Sequence, residues 1–111
     1  HDGADVELAA KAWDLAELGR DYAAFVAHWQ PVVSVVDATD DAAAFAASQQ
    51  LLHAWRKFLF RDPGLPAELL PPDWPGHAAA SFFDEQTLRL APGTSRFVDE
   101  CLRPVRNVST A

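Results

Sequence analysis

The sequence predicts an all-α fold: a small domain of four to five helices with one proline-rich connecting loop. Three observations carry that prediction. Apolar residues recur at steps of three and four along two long windows, which is the period of an amphipathic helix. Five of the eight prolines fall within residues 61–76, where neither one long helix nor an interior strand can persist. The β-branched run Val32, Val33, Val35 and Val36 has no second run to pair with, so it reads as an extended, partly buried connection.

Each element follows in order. Ala4–Trp13 is rich in helix formers. Asp14 is placed as an N-cap, with Glu17 three residues on as in a capping box. Leu15, Leu18, Tyr22, Phe25 and Trp29 then form one apolar stripe, and Pro31 is expected to stop that helix. After the connection over Pro31–Thr39, Asp40 or Asp41 caps a long helix reaching about Phe60. Its stripe is read as Phe45, Leu52, Trp55 and Leu59, widened by Leu51 and Phe58. Asp62–Pro63–Gly64 signals a turn. Pro66 opens a one-turn helix over Ala67–Leu70, and Pro75 opens the next helix, which runs to about Leu90 with Phe82 and Phe83 inward. Ala91–Pro92–Gly93 ends it. Thr94 or Ser95 caps a last helix over Arg96–Leu102, with Phe97 and Cys101 facing the core, and Pro104 closes the ordered part.

Composition narrows the function. At 111 residues the chain is one domain. Four Trp, seven Phe and 50% hydrophobic residues argue against a disordered tail. The net charge of −7 makes it a poor grip for DNA or RNA. That charge is uneven: residues 1–50 hold Lys11 and Arg20 against nine acids, whereas residues 51–111 hold seven of each sign. An anion-binding surface therefore belongs in the second half. No apolar stretch is long enough to span a membrane. Cys101 is the single cysteine, so no intrachain disulfide forms, which fits a reducing cytoplasm. The chain opens at His1 with no methionine anywhere, and is expected to be a fragment of something longer.

Catalytic and metal motifs are lacking. His1, His28, His53 and His77 include no pair at ligand spacing, so no metal site is expected. No nucleophile elbow or glycine-rich phosphate loop occurs. The carboxylate pairs Asp40/Asp41, Asp84/Glu85 and Asp99/Glu100 are adjacent residues, which diverge by roughly 100° on a helix. Asn107–Val108–Ser109 matches a glycosylation acceptor by chance. Neither an enzyme nor a cofactor is expected.

The densest chemistry lies between Leu51 and Gly76. Here the long helix ends in Arg56, Lys57 and Arg61, cations that complement its C-terminal dipole, and the proline loop carries Trp74. Two readings compete. In the packing reading, Trp55 and Trp74 fill the core, Arg56 or Arg61 pairs with Asp62 or Asp73, and the prolines fix a tight crossing. In the binding reading, Trp55 and Trp74 wall a groove for an anionic, partly aromatic molecule whose charge meets Arg56, Lys57 and Arg61.

The run LLHAWRKFLFRDPGLPAELLPPDWPG resembles the signature of the C-terminal domain of PaaX-like regulators, the repressor family of phenylacetic acid degradation. Ala12–Pro31 (AWDLAELGRDYAAFVAHWQP) and Ser95–Glu100 (SRFVDE) resemble it too, in the expected order. After WPG the family continues into an Arg-rich helix with a Phe-x-x-Leu-Tyr pattern. This chain reads HAAASFFDEQTLRL there, so a charged surface on that helix does not carry over. The resemblance implies that residues 1–111 are a single C-terminal regulatory or oligomerisation domain, cut from a dimeric cytoplasmic repressor. It implies DNA contact only through a separate N-terminal winged-helix domain, a middle ferredoxin-like domain, and phenylacetyl-coenzyme A as the effector. A purely structural oligomerisation module, with the inducer site in other domains, is the alternative.

Overall fold

The computed structural model describes the backbone of residues 2–110 and the side chains of residues 13–66 and 68–103. The element order is α1 (Asp2–Ser34), α2 (Asp41–Arg61), a single 3-10 turn (Ala67–Leu69) and α3 (Pro75–Thr110). Among the described residues there is no strand. The all-α expectation holds, but three long helices replace the four to five short ones.

The merged helices arise where an expected boundary does not hold. Pro31 and Pro92 act locally, and tertiary packing overrides them. Asp14 does not start a helix: α1 runs through it, because neither Gly nor Pro separates Ala4–Trp13 from the stripe that follows. Pro31 does not stop α1, which continues to Ser34. A proline inside a helix costs about 3 kcal/mol, and two features offset it here. Val33, the penultimate residue of α1, is 1% exposed. Arg89 of α3 donates to the carbonyls of Val33 (2.7 Å) and Val36 (3.0 Å), tying off the end of α1 with a charged side chain. The valine run is therefore the last turn of a helix and the bend after it.

Ala91–Pro92–Gly93 likewise fails to end α3, and so does Pro104; the segment expected as a separate capped helix over Arg96–Leu102 is continuous with what precedes it. Phe97 stacks on Phe45 of α2 at 4.7 Å, and Arg96 bonds Asp41 at 3.0 Å. These contacts hold the second half of α3 on α2 beyond the proline. Cys101 is exposed and not core-facing. Asn107–Val108–Ser109 lies outside the described side chains.

Other boundaries match the sequence. Asp40 is the N-cap of α2, its carboxylate accepting from the Ala43 N–H at 3.2 Å. Pro75 is the first residue of α3, and the turn after Pro66 forms.

Leu18, Tyr22 and Phe25 of α1 are buried against Leu51 and Phe58 of α2 and Ala79 of α3, with Leu15, Trp29, Phe82 and Phe83 packed around them. The α1 stripe is thus the core face. The α2 stripe is rotated from its expected position. Ala44, Ala47, Leu51 and Phe58 are buried, while Leu52 and Leu59 are 43% and 65% exposed. Alanines mark the seam because α2 and α3 approach closely where Ala44, Ala47 and Leu90 meet. Counting only large apolar residues misplaces such a face. Gly19 lies beside Pro75, Phe25 beside Phe82 and Val33 beside Arg89, so α1 and α3 run parallel. Phe45 beside Phe97 and Trp55 beside Phe83 make α2 antiparallel to both. The extents are 73 × 30 × 19 Å.

Gly93 is where the seam closes. A Cβ there would sit 2.8 Å from the Ala44 Cβ and 2.9 Å from the Ala38 carbonyl oxygen, neither of which is the end of a flexible side chain. Gly93→Ala should therefore destabilise by about 1–3 kcal/mol through overpacking, outweighing the about 1 kcal/mol of helix propensity gained. Urea unfolding measures the sign.

Candidate functional site

The end of α2, the proline-rich loop and the start of α3 enclose a cleft of about 420 Å³. Tyr22, Trp55, Phe58, Leu70 and Trp74 form its largely apolar walls, and Asp62, His77 and the Tyr22 hydroxyl are its ionisable groups. Each wall is held from a different element. Tyr22 comes from the middle of α1 and stacks on Phe58 at 4.3 Å. Trp55 lies flat against Phe83 at 4.9 Å. Trp74, at the end of the loop, meets Tyr22 edge-on at 5.9 Å and is 7% exposed. Its ring lies close over Gly19, where a Cβ would stand 3.1 Å from the indole. The loop is thereby pinned to α1 through a tryptophan lying on a glycine.

Asp62 organises the turn. Its N–H donates to the Phe58 carbonyl, closing α2. One carboxylate oxygen accepts from the Gly64 N–H at 2.8 Å, the Asx-turn pattern. The other accepts from the Tyr22 hydroxyl at 2.5 Å, forty residues away in the chain. Burial raises the Tyr22 pKa well above the ordinary tyrosine range. The bond to Asp62 and its negative charge add to that, and the nearby Arg61 charge opposes it.

The five residues singled out in the sequence divide between sites. Trp55 and Trp74 share the cleft. Arg61 lies outside it, lining a neighbouring cavity of about 310 Å³ with Asp14, Leu15, Leu18, Pro63 and Leu65. Leu65 borders both spaces. Arg61 bonds Asp21 at 2.6 Å, a pair nearly two-fifths exposed and therefore worth at most about 1 kcal/mol. Lys57 lies 5.2 Å over the Phe58 ring and lines neither cavity. Arg56 is exposed and also lines neither. At roughly 100° per residue, Trp55, Arg56 and Lys57 must fan outward rather than converge. The packing reading also needs correction: Arg61 pairs with Asp21, not with Asp62 or Asp73, and Asp62 takes the tyrosine instead.

Sequence reasoning missed Tyr22, Asp62 and His77 as cleft residues. Tyr22 was legible only as one hydroxyl in a stripe of Leu, Phe and Trp. Its link to Asp62 spans two helices and has no local pattern.

The site offers apolar walls, an engaged carboxylate–phenol pair and one imidazole. Apolar walls with a few polar groups are the composition that small-molecule sites share. A profile of the PaaX-like protein C-terminal domain matches residues 13–100. The chain belongs to this family. The PaaX-like match takes in every cleft residue, from Tyr22 through Ala80. The transcriptional repressor PaaX of Escherichia coli (strain K12) is 34% identical over 94 residues, covering 81% of this chain and 30% of that protein. This PaaX-like domain thus spans under a third of its relative's length. No solved structure matches it. No helix among its described residues is long and apolar enough to cross a membrane.

The tyrosine clasp has a pH signature. A raised folded-state pKa means that its stabilisation is complete below about pH 10, where unfolded tyrosine ionises, and is lost as pH climbs toward the raised value. Stability should therefore fall above about pH 10, and Tyr22→Phe should remove most of that slope. The same variant should cost about 1 kcal/mol at neutral pH for the lost hydrogen bond. Tyr22 is the single tyrosine, so alkaline absorbance titration with parallel denaturant melts reads both effects.

Proposed function

We propose that this chain is a non-catalytic regulatory domain of a PaaX-like transcriptional repressor of aromatic acid (phenylacetate) catabolism. In this reading residues 1–111 form a single unit of a cytoplasmic homodimer. The domain contributes dimerisation and the response to an acyl-coenzyme A effector, phenylacetyl-coenzyme A, while another part of the protein contacts DNA. It needs no cofactor. The observation that carries the reading is the family match over residues 13–100, together with the likeness to a transcriptional repressor.

For the effector, the supporting geometry is a cleft walled by Trp55 and Trp74, of a size suited to an aromatic group. Arg61 stands in the adjoining cavity across Leu65, and Arg56 and Lys57 add positive charge to the outer surface of α2. A second reading, a purely structural oligomerisation module with the inducer site in other domains, is favoured by one observation. The three cations do not share the cleft with the tryptophans, and the charged group within it is a carboxylate.

Isothermal titration of this chain with phenylacetyl-coenzyme A and with free coenzyme A separates the two. Binding that requires the acyl group, weakened about tenfold by Arg61→Ala combined with Lys57→Ala, about 1.4 kcal/mol, is the expected result. No heat with either ligand overturns the effector reading and leaves the structural one. Affinity unchanged in the double variant removes both cations from the site.

A further inference from the structure

α3 begins without an acceptor for its first N–H groups. Its first turn holds no acidic residue, and the residue before it is Trp74, whose side chain can only donate. At the same place on α2, the Asp40 carboxylate accepts from the Ala43 N–H. Pro75 has no N–H, and the Gly76 N–H has no acceptor within the helix. The His77 N–H reaches the Trp74 carbonyl only at 3.4 Å. The Trp74 indole adds a further donor at this spot. The residue is 7% exposed. Its nitrogen is the atom that a Cβ on Gly76 would strike first, so the N–H edge of the indole lies over the first turn of α3, where only glycine leaves it room. That N–H bonds no acceptor among the described residues. It is not sealed in the core either, since the fully buried side-chain polar atom without a partner there is the Thr94 hydroxyl.

We infer that the start of α3 and the Trp74 indole form an oxygen-binding subsite of the cleft, which holds the acyl oxygen of an aromatic acid derivative. A deep donor is costly to leave unpaired, and a helix start is electropositive; both call for an oxygen. Trp74, Gly76 and His77 line the same space as the rings of Tyr22, Trp55 and Phe58, so oxygen and aromatic ring are recognised together. A carbonyl or a carboxylate oxygen meets these donors alike. Asp62 does not fill the position, because its two oxygens are taken by the Gly64 N–H and the Tyr22 hydroxyl. The His77 side chain is exposed. Trp55 carries an indole as well, but Trp74 is the one whose nitrogen lies on the helix start.

The inference rests on the effector half of the proposed function only in taking the cleft as the place of binding; it needs neither the coenzyme moiety nor Arg61 and Lys57. NMR titration of the isotopically labelled chain with phenylacetamide, phenylacetate and toluene tests it. Trp74→Phe assigns the Trp74 indole signal while keeping an aromatic ring against Gly19 and Tyr22. At least one acyl probe should move the Trp74 indole proton and the Gly76 amide proton downfield together, and Trp74→Phe should weaken that probe about fivefold. Circular dichroism checks that the variant folds, and the shifts in the unaltered chain stand without it. A response to the amide identifies a carbonyl acceptor, and a response to the acid alone a carboxylate. Toluene has the ring without the oxygen. If it moves both signals as the acyl probes do, only the ring is read and the subsite is overturned. Binding of an acyl probe that leaves both signals in place overturns it too, as does the absence of binding by both acyl probes. A positive coenzyme A titration beside any of these keeps the effector reading and removes the subsite alone.

Discussion

Tyr22 is the residue on which the three helices and the loop depend together. Its ring stacks on Phe58 of α2, meets Trp74 of the loop edge-on, and sends its hydroxyl to the carboxylate that ends α2. A phenol can do this where phenylalanine cannot, because it satisfies a buried-side acceptor while filling apolar volume. Asp62 in turn holds the first bend of the proline loop, and the loop delivers Trp74 back onto α1. The cleft is the space left inside this closed circuit. Its shape is therefore a property of the core, and a ligand in it would press on residues that hold the helices together.

Much of the fold was legible. The α1 stripe reads directly because its members are large and regularly spaced, and the Asp40 cap and the Pro75 start read directly because their chemistry is local. What failed was the inference from breaker to boundary. Pro31 and Pro92 interrupt hydrogen bonding at one position each, yet Val33, Arg89, Arg96 and Phe97 make contacts far along the chain that keep the helix going. No window of sequence contains those contacts. The α2 face was misjudged for a related reason, since Ala44 and Ala47 carry little hydrophobic signal and matter through how near they let another helix come.

The candidate site was half legible. Its tryptophans were visible as aromatics beside a rigid loop. The cations nearby were read as one cluster because they are close in sequence, but successive helix residues point apart. Arg61 alone borders a cavity, and it faces the acidic side of α1 through Asp21. The uneven charge of the chain is thus partly an internal matter, with basic residues of the second half meeting acids of the first at Asp21 and Asp41.

Arg89 joins two helices in a way that bears on motion. By holding the last carbonyls of α1 from the side of α3, it ties the end of α1 to the middle of α3, while Trp74 on Gly19 ties the start of α3 to the middle of α1. Rods clamped at two points cannot scissor; they can only slide or tilt as a pair. α2 lies antiparallel along that tied stretch, with Trp55 flat against Phe83, so motion of the three helices against one another is restrained between the two ties.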